Sequence, residues 1–502
     1  MFDYKLLKTL FAFAVVSMVF SCTDLKVDEV DSRVTESATG EFTGNGPDLL
    51  ASAYNDLSTF TAQENTYSLF THSSDIMIPP TRGVDWGDNG VWRTLHAHTW
   101  DPTHSFVTEA WNILNQRAFK CNQVLASSDP AASAQEKAEA KFLRAFYMWN
   151  VMDLFGKVPF REVNEGIDVD PRVLTRSEAF DFIETDLMEA MPDLPDLGPS
   201  ATIAQASKAS ANALLARLYL NKAVYTADNP GGPYKFEAAD MDKVIEFCDK
   251  VTAAGFSLEA NYFDNFSTDA TTEIILTSAA GSAQNRYFMT LHYDQNPSGW
   301  NGFTTLADFY DKFEADDQRI GSYPPPDGSE FSGIGRGFLI GQQFTDAGDV
   351  LIDSRSQKPL QFTRDVPLSG AATDKGIRAI KYHPANQGNY ILLRYADVFL
   401  MKAEAVLRGG TDPGGQTALQ IVNELRTTRG ASALGSVDEA AMLDERGREL
   451  WWEGIRRVDQ VRFGTFSSTW DSKTNTDPTR VLFPIPQQAL DSNPNLVQND
   501  GY

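Results

Sequence analysis

Apolar residues recur at helical spacing along most of this chain, and the small residues among them restrict how the helices can pack. From Ala138 the positions Phe142, Ala145, Trp149 and Met152 step by four and three until Gly156, and Ser133 with Glu136 forms a capping box ahead of them. The pairs Thr175/Glu178 and Ser436/Glu439 repeat that signal and predict helices over 176–190 and 437–460. Similar periodicity predicts helices over 106–127, 207–224, 239–254, 392–408 and 415–429. Alanine alternates with larger apolar side chains from Ala209 to Ala216 and from Ala396 to Ala405. That pattern lets paired helices approach closely, as in tetratricopeptide-like hairpins, although no consensus of about 34 residues is present.

Residues 256–390 depart from the helical pattern. The strand-like fragment Glu273–Thr277 lies among loops rich in Gly, Pro, Asp and Asn, including Tyr323–Gly328 and Gly333–Gly337. Loops this long in a compact chain tend to carry function. No Pro/Ser-rich linker divides the remainder, so the pattern predicts one mostly α body over 46–502 with a loop-rich, partly β insertion near 256–390.

The start of the chain points to export. Lys5 and Lys8 precede an apolar stretch from Leu10 to Phe20, which is too short to span a bilayer, where a helix needs about 20 residues, but suits the core of a signal peptide. Val19-Phe20-Ser21-Cys22 resembles a bacterial lipobox, which makes residues 1–21 a lipoprotein signal peptide and Cys22 the acylated first residue of the mature chain. Acylation there exceeds the two signals that stable anchoring requires. Residues 22–45 follow as a polar, acidic tether, a composition associated with the outer face of an outer membrane.

Charge and motif content exclude several chemistries. A formal net charge of −25 argues against sequence-independent nucleic-acid binding, which needs a basic surface. Three cysteines cannot build a disulfide scaffold, although a bond between Cys121 and Cys248 is possible. No nucleophile elbow, Walker loop or HExxH is present, and Gly333-Ile-Gly-Arg-Gly337 lacks the strand-to-helix context of a dinucleotide fingerprint. His96, His98 and His104 read as structural histidines. Glu445, Glu449 and Glu453 fall on one predicted helix face with Arg456 and Arg457 just beyond, a pattern of packed ion pairs.

The aromatic residues are more informative about binding. Trp86, Trp92, Trp100 and Trp111 are four of nine tryptophans in one short window; Trp100 and Trp111 read as core. Trp86 instead sits among Gly, Asp and Asn in a loop, as does Trp300, with Tyr293 close by. An indole held out by a loop offers a flat apolar face to the C–H face of a sugar, while neighbouring polar groups bind hydroxyls. On this reading removal of Trp86 costs binding alone.

Four stretches together resemble the SusD/RagB family of surface glycan-binding lipoproteins: Ala140–Tyr147 running into Asp153–Pro159, Leu392–Asp397 running to Ala403–Ala405, the segment from Glu445 to Gly464, and Phe483-Pro-Ile-Pro486 with the ending Asn493–Tyr502. The resemblance implies a mostly α fold of about four tetratricopeptide-like hairpins. It also implies a non-catalytic protein that captures oligosaccharides and closes over a TonB-dependent transporter β-barrel; no cofactor and no metal ligand set is read from the sequence, and whether a structural metal is bound stays open. Asp75, Arg82, Trp86 and Asn89 lie in one region that carries binding residues in starch-binding relatives, and Tyr293 and Trp300 in the second; Trp92 and Asn301 beside them complete the candidate glycan-binding set. The acidity of the chain favours a neutral glycan. Two other readings stand beside this one: a surface glycoside hydrolase, since 68 acidic residues offer many carboxylate pairs, and a tetratricopeptide-like scaffold that binds partner proteins.

Overall fold

Helical periodicity is realised over most of its expected length in the computed structural model, which describes residues 34–36, 42–166, 168–200 and 204–502. The signal peptide, Cys22 and most of the tether lie outside the described residues. The helices that build the scaffold are α1 (Gly46–Asn55), α2 (Asn65–Thr71), α3 (Val91–Ala97), α4 (Ser105–Ala126), α5 (Ala134–Phe155), α6 (Arg176–Ala190), α7 (Lys208–Leu220), α8 (Ala238–Ala253), α9 (Tyr395–Leu407), α10 (Ala418–Thr428), α11 (Glu439–Leu450) and α12 (Arg456–Arg462). Helix α4 packs on α5, α5 on α6, α7 on α8, α8 on α9 and α9 on α10, a succession of tetratricopeptide-like pairs. Helix α7 is buried all round, and its alanines 209, 211, 213 and 216 admit neighbours on several sides.

Local signals place most boundaries. Capping boxes form at Ser133/Glu136 and Thr175/Glu178. Gly156 ends α5 at φ 68°, where an added Cβ would stand 2.7 Å from Leu482, so the turn requires glycine twice over. Elsewhere the structure corrects the sequence reading. The cap of α11 is Asp438 and not Ser436, its carboxylate accepting from the Ala441 N–H. The helix expected over 437–460 is two, because Trp452 (φ 57°) and Gly454 (φ 76°) reverse the chain between α11 and α12. Glu453 therefore does not continue the helical face of Glu445 and Glu449. Residues 390–394 are a strand, paired antiparallel with Ile274–Ser278, and α9 starts only at Tyr395. Cys121 and Cys248 are separate buried thiols on α4 and α8, with no bond between them.

The insertion is a set of short ladders. Arg336–Leu339 pairs on one side with Gly321–Ser322 and on the other with Arg378–Ile380. Met77–Ile78, from the segment after α2, pairs with Thr304–Thr305 and so joins the N-terminal part of the chain to the insertion.

A buried ion-pair network holds these parts together. Glu449 on α11 accepts from Arg394 and Arg429 at 2.9 Å each and from Arg319 at 3.3 Å. Glu445, one turn earlier, pairs with Arg319 and Arg426 at 2.7 Å. Glu273 binds Arg394 (2.9 Å) and Arg429 (2.7 Å), and Glu453 binds Arg394 (2.7 Å) and Lys381 (2.6 Å). A second cluster joins Asp397, Glu404 and Asp459 to Arg217, Arg446 and Arg462. Arg457 reaches Asp153 at the end of α5, and Arg456 reaches Asp75. Glu445, Glu449 and Arg456 thus have the structural role that their spacing suggested.

The network makes two measurable demands. Glu449→Ala leaves three guanidinium groups short of an anion in a dry interior, and the melting temperature should fall by the equivalent of about 3 to 5 kcal/mol. Burial pushes the Glu445 and Glu404 carboxyls up, but the surrounding guanidinium groups outweigh it and hold both down at about 2. Their folded values lie below the ordinary unfolded value, so their stabilisation is complete above that value and is lost as pH falls through it. Burial also holds His72, His98 and His292 below the ordinary imidazole range, so melting should begin to decline below about pH 6.5 and fall steeply between about pH 4.5 and 2.

Candidate functional site

Two loops meet where the N-terminal segment and the insertion are joined by the Met77–Thr305 ladder. The first is a tight hairpin, closed by reciprocal backbone hydrogen bonds of 3.0 Å between Arg82 and Asp85, with Trp86 at its foot in a left-handed conformation (φ 62°). The second runs from His292 to Gly302. Two side-chain rungs connect them. The Trp86 indole N–H donates to the Trp300 carbonyl (2.9 Å), and the Tyr293 hydroxyl donates to Asp85 Oδ2 (2.5 Å). A Cβ at position 302 would lie 2.4 Å from the Trp86 ring, so glycine there lets the indole seat against the second loop.

The two indoles are not equivalent. Trp86 is half-buried, its ring 4.7 Å from that of Phe303 and 5.6 Å from that of Trp92, as part of a cluster that includes His72. Trp300 is 41% exposed and lies stacked over Phe288 (6.0 Å, 18°), which leaves its other face to solvent. Trp300 is therefore the flat apolar surface of the site, and Trp86 is mainly the post that holds it. The sequence expectation that Trp86 serves binding alone is corrected by this packing.

The remaining candidates divide sharply. Asn89 is exposed at φ 52° beside Trp86, and Tyr293 is half-buried. Trp92 is buried, its indole N–H donating to Asp88 (2.7 Å). Asp75 is held by Arg456 at 2.6 and 2.8 Å. Arg82 is buried, and its guanidinium donates to the Ala372 carbonyl and to that of Lys375 (2.7 Å). Asn301 is buried too, donating to Thr373 O (3.0 Å) and accepting from Arg378 (2.6 Å). Arg378 also binds the Thr373, Lys375 and Gly376 carbonyls, so Arg82 and Arg378 together clamp the main chain of 372–376 beneath the platform. No carboxylate pairs with either guanidinium among the described residues, and burial lowers the Arg82 group to about 10. Trp92, Arg82 and Asn301 are thus buried and bonded internally, and Asp75 is an anchor for the segment that leads to the hairpin.

The sequence reading missed Arg355, Asp85 and Phe288. The Arg355 guanidinium lies 4.0 Å from the centre of the Tyr293 ring and 3.2 Å from Asp85. Nothing periodic marks these residues: Asp85 finds its partners more than 200 positions away, and Phe288 and Arg355 meet Trp300 and Tyr293 only through the folding of irregular loops. His292, Asp294 and Asp353 bring one ligand atom each within 4.8 Å of the others. Both Asp353 oxygens already accept hydrogen bonds, from Arg355 N–H (2.8 Å) and Ser356 and Thr373 hydroxyls, and brace the 353–356 turn. His96, His98 and His104 bind backbone carbonyls, His96 between Met77 and Asp471.

The carboxylates beside the platform have the wrong electrostatics for a general acid. The Tyr293 hydroxyl, with Arg355, holds Asp85 below the usual carboxylate range. Burial pushes Asp353 up, but hydrogen bonds led by that of Thr373 outweigh it and hold the group low. A glycosidic general acid needs its carboxyl raised. The site is a surface and not a deep pocket. Cavities of about 380 Å³ beside Arg176 and about 320 Å³ beside Phe160 are lined by scaffold residues alone.

Comparison with known proteins supplies the family context. Residues 345–502 match the model of the SusD family, and residues 31–220 match that of the family described as starch-binding associating with outer membrane. The starch-binding protein SusD of Bacteroides thetaiotaomicron is 27% identical over 83% of this chain and 82% of its own. Among solved structures, a laminarin-binding SusD-like protein superposes with a TM-score of 0.67 at 22% identity, covering 91% of this chain and 99% of that one. A surface glycan-binding protein A from Bacteroides thetaiotaomicron, solved with laminarihexaose, gives 0.65 at 18% identity over 90% and 98%.

The unequal burial of the two indoles has a direct consequence for stability. Trp86→Ala opens space against Phe303 and Trp92 and should destabilise by about 2 kcal/mol, whereas Trp300→Ala should cost about 1 kcal/mol or less. Thermal melts of the two variants side by side give the comparison, and equal losses would contradict the post-and-platform assignment.

Proposed function

This chain belongs to the SusD/RagB family, and from that premise we propose that it is a cell-surface protein that binds oligosaccharides or polysaccharide without transforming them. One observation carries the reading: a solvent-facing indole, Trp300, stacked on Phe288 and fixed by the Trp86 and Tyr293 rungs at the meeting of two loops. An apolar face held rigid in this way loses little entropy on binding a sugar ring. Names among the relatives support the same reading, since they include a starch-binding and a laminarin-binding protein. Trp300 supplies the stacking face in this proposal, Trp86 its support, and Tyr293, Asp85, Arg355 and Asn89 the surrounding polar groups. The depressed Asp85 and Asp353 carboxyls favour binding over glycoside hydrolysis.

The wider setting is part of the proposal. Cys22 anchors the chain by its lipid to the outer face of the outer membrane, and the body delivers its glycan to a TonB-dependent transporter β-barrel. The lipobox-like Val19–Cys22 and the family description of outer-membrane association support this.

Trp300→Ala should weaken glycan affinity about five- to thirty-fold, the equivalent of 1 to 2 kcal/mol for one stacked indole, with melting almost unchanged. A glycan array with protein lacking residues 1 to 22 finds the ligand, and calorimetry measures the loss. Undiminished binding by Trp300→Ala would place the site elsewhere. Cys22→Ser should move the protein out of the membrane fraction, and wild-type protein purified from native outer membranes in mild detergent should bring a β-barrel transporter with it. Retention of the serine variant to the same extent would remove Cys22 as the anchor.

A further inference from the structure

Charges of both signs meet around the platform, in a protein whose formal net charge is −25. Arg82 and Arg378 lie buried beneath it, Arg355 stands at its edge, and Lys375 belongs to the clamped loop. Against these stand Asp85, Asp294, Asp353 and Asp374. Most are committed to backbone groups or to the interior. Two ion pairs are open to solvent, Lys375–Asp374 in the clamped loop and Asp85–Arg355; the latter, with side chains 32% and 53% exposed and an ion pair at 3.2 Å, is the one that adjoins both Tyr293 and the hairpin that carries Trp86.

We propose that Asp85 is the charge-selecting residue of the platform: by neutralising Arg355 it restricts the site to neutral glycan chains and denies it to uronic or sulfated ones. The proposal rests on the glycan-binding reading above. Arg355 spreads its guanidinium over the Tyr293 ring and directs Nη1 to Asp85. With Asp85 ionised, the pair presents no net charge, and an approaching carboxylate or sulfate meets the aspartate beside the arginine. Without that negative charge, the same guanidinium becomes an exposed cation at the edge of a stacking face, a geometry suited to sugar acids. The two buried arginines below add positive potential that the present carboxylates offset. One change of charge at position 85 therefore shifts the balance of the whole site.

Asp85→Asn is the discriminating variant, because an amide oxygen can still accept the Tyr293 hydroxyl and keep the rung. Affinity electrophoresis would use amylose and laminarin as neutral polymers and polygalacturonate as the anionic one, at low salt. Wild type should be retarded by a neutral polymer and not by polygalacturonate. The asparagine variant should gain about two- to five-fold in retardation by polygalacturonate, a gain that disappears in 0.5 M salt, as expected for an exposed charge contact. The double variant Asp85→Asn with Arg355→Gln should lose that gain, with melting close to wild type throughout. Retardation of wild type by polygalacturonate, or no gain in the asparagine variant, overturns the charge-selection inference alone. Binding of no polymer in a full glycan array overturns the glycan reading and this inference with it.

Discussion

Burying a guanidinium or a carboxylate costs several kcal/mol, and the arginine–carboxylate network of this protein offsets that cost only while its charges stay paired. Its geometry therefore constrains segments far apart in the chain. Arg394 ends a strand, Glu449 sits on α11, Arg429 ends α10 and Glu273 precedes the strand that pairs with that of Arg394; all four converge within ion-pair distance. The paired strands that begin and end the ordered part of the insertion are thereby fixed to the helical scaffold, at Glu273 and at Arg394. Asp75, held by Arg456, fixes the segment that leads to the Arg82 hairpin, and Lys381, held by Glu453, fixes the strand that follows the clamped loop. The loops of the platform hang from four anchored points.

Much of this scaffold was legible in the sequence, and the reason is local. A capping box, a glycine stop and a three-four apolar step are all read within one or two turns, so α5 and α6 appear where their residues predict. The motifs that carry the family resemblance are the network itself: Asp153, Arg394, Asp397, Glu404, Glu445, Glu449 and Arg457 all belong to it. Failures occurred where a distant partner overrode the local pattern. Residues 390–394 pair with a strand more than 100 positions earlier, and that pairing extends the chain until Arg394 reaches its carboxylates. Trp452 and Gly454 turn the chain at left-handed φ, which no spacing of charges would indicate.

The candidate site was legible only in part, for the complementary reason. Loop tryptophans flanked by Gly, Asp and Asn attract attention, and two of them do meet across the Trp86–Trp300 hydrogen bond. Their exposure is decided by Phe303, Trp92 and Phe288, which arrive through tertiary packing. Composition alone ranked Trp86 first, while the structure gives the open face to Trp300. Arg355 had no sequence signal at all, being one arginine in a polar loop until Tyr293 and Asp85 come against it.

The clamp formed by Arg82 and Arg378 addresses carbonyl oxygens of residues 372–376 and none of their side chains. A grip on the main chain is indifferent to what the gripped residues are, provided that they trace the same path. Ala372, Asp374 and Lys375 can therefore be exchanged without loosening the seat, whereas Thr373, bound to Asp353, and Gly376, at φ 89° against Thr304, are fixed by more than the clamp. Change can accumulate at those three positions at little cost to the fold, and they are a natural place to graft new side chains.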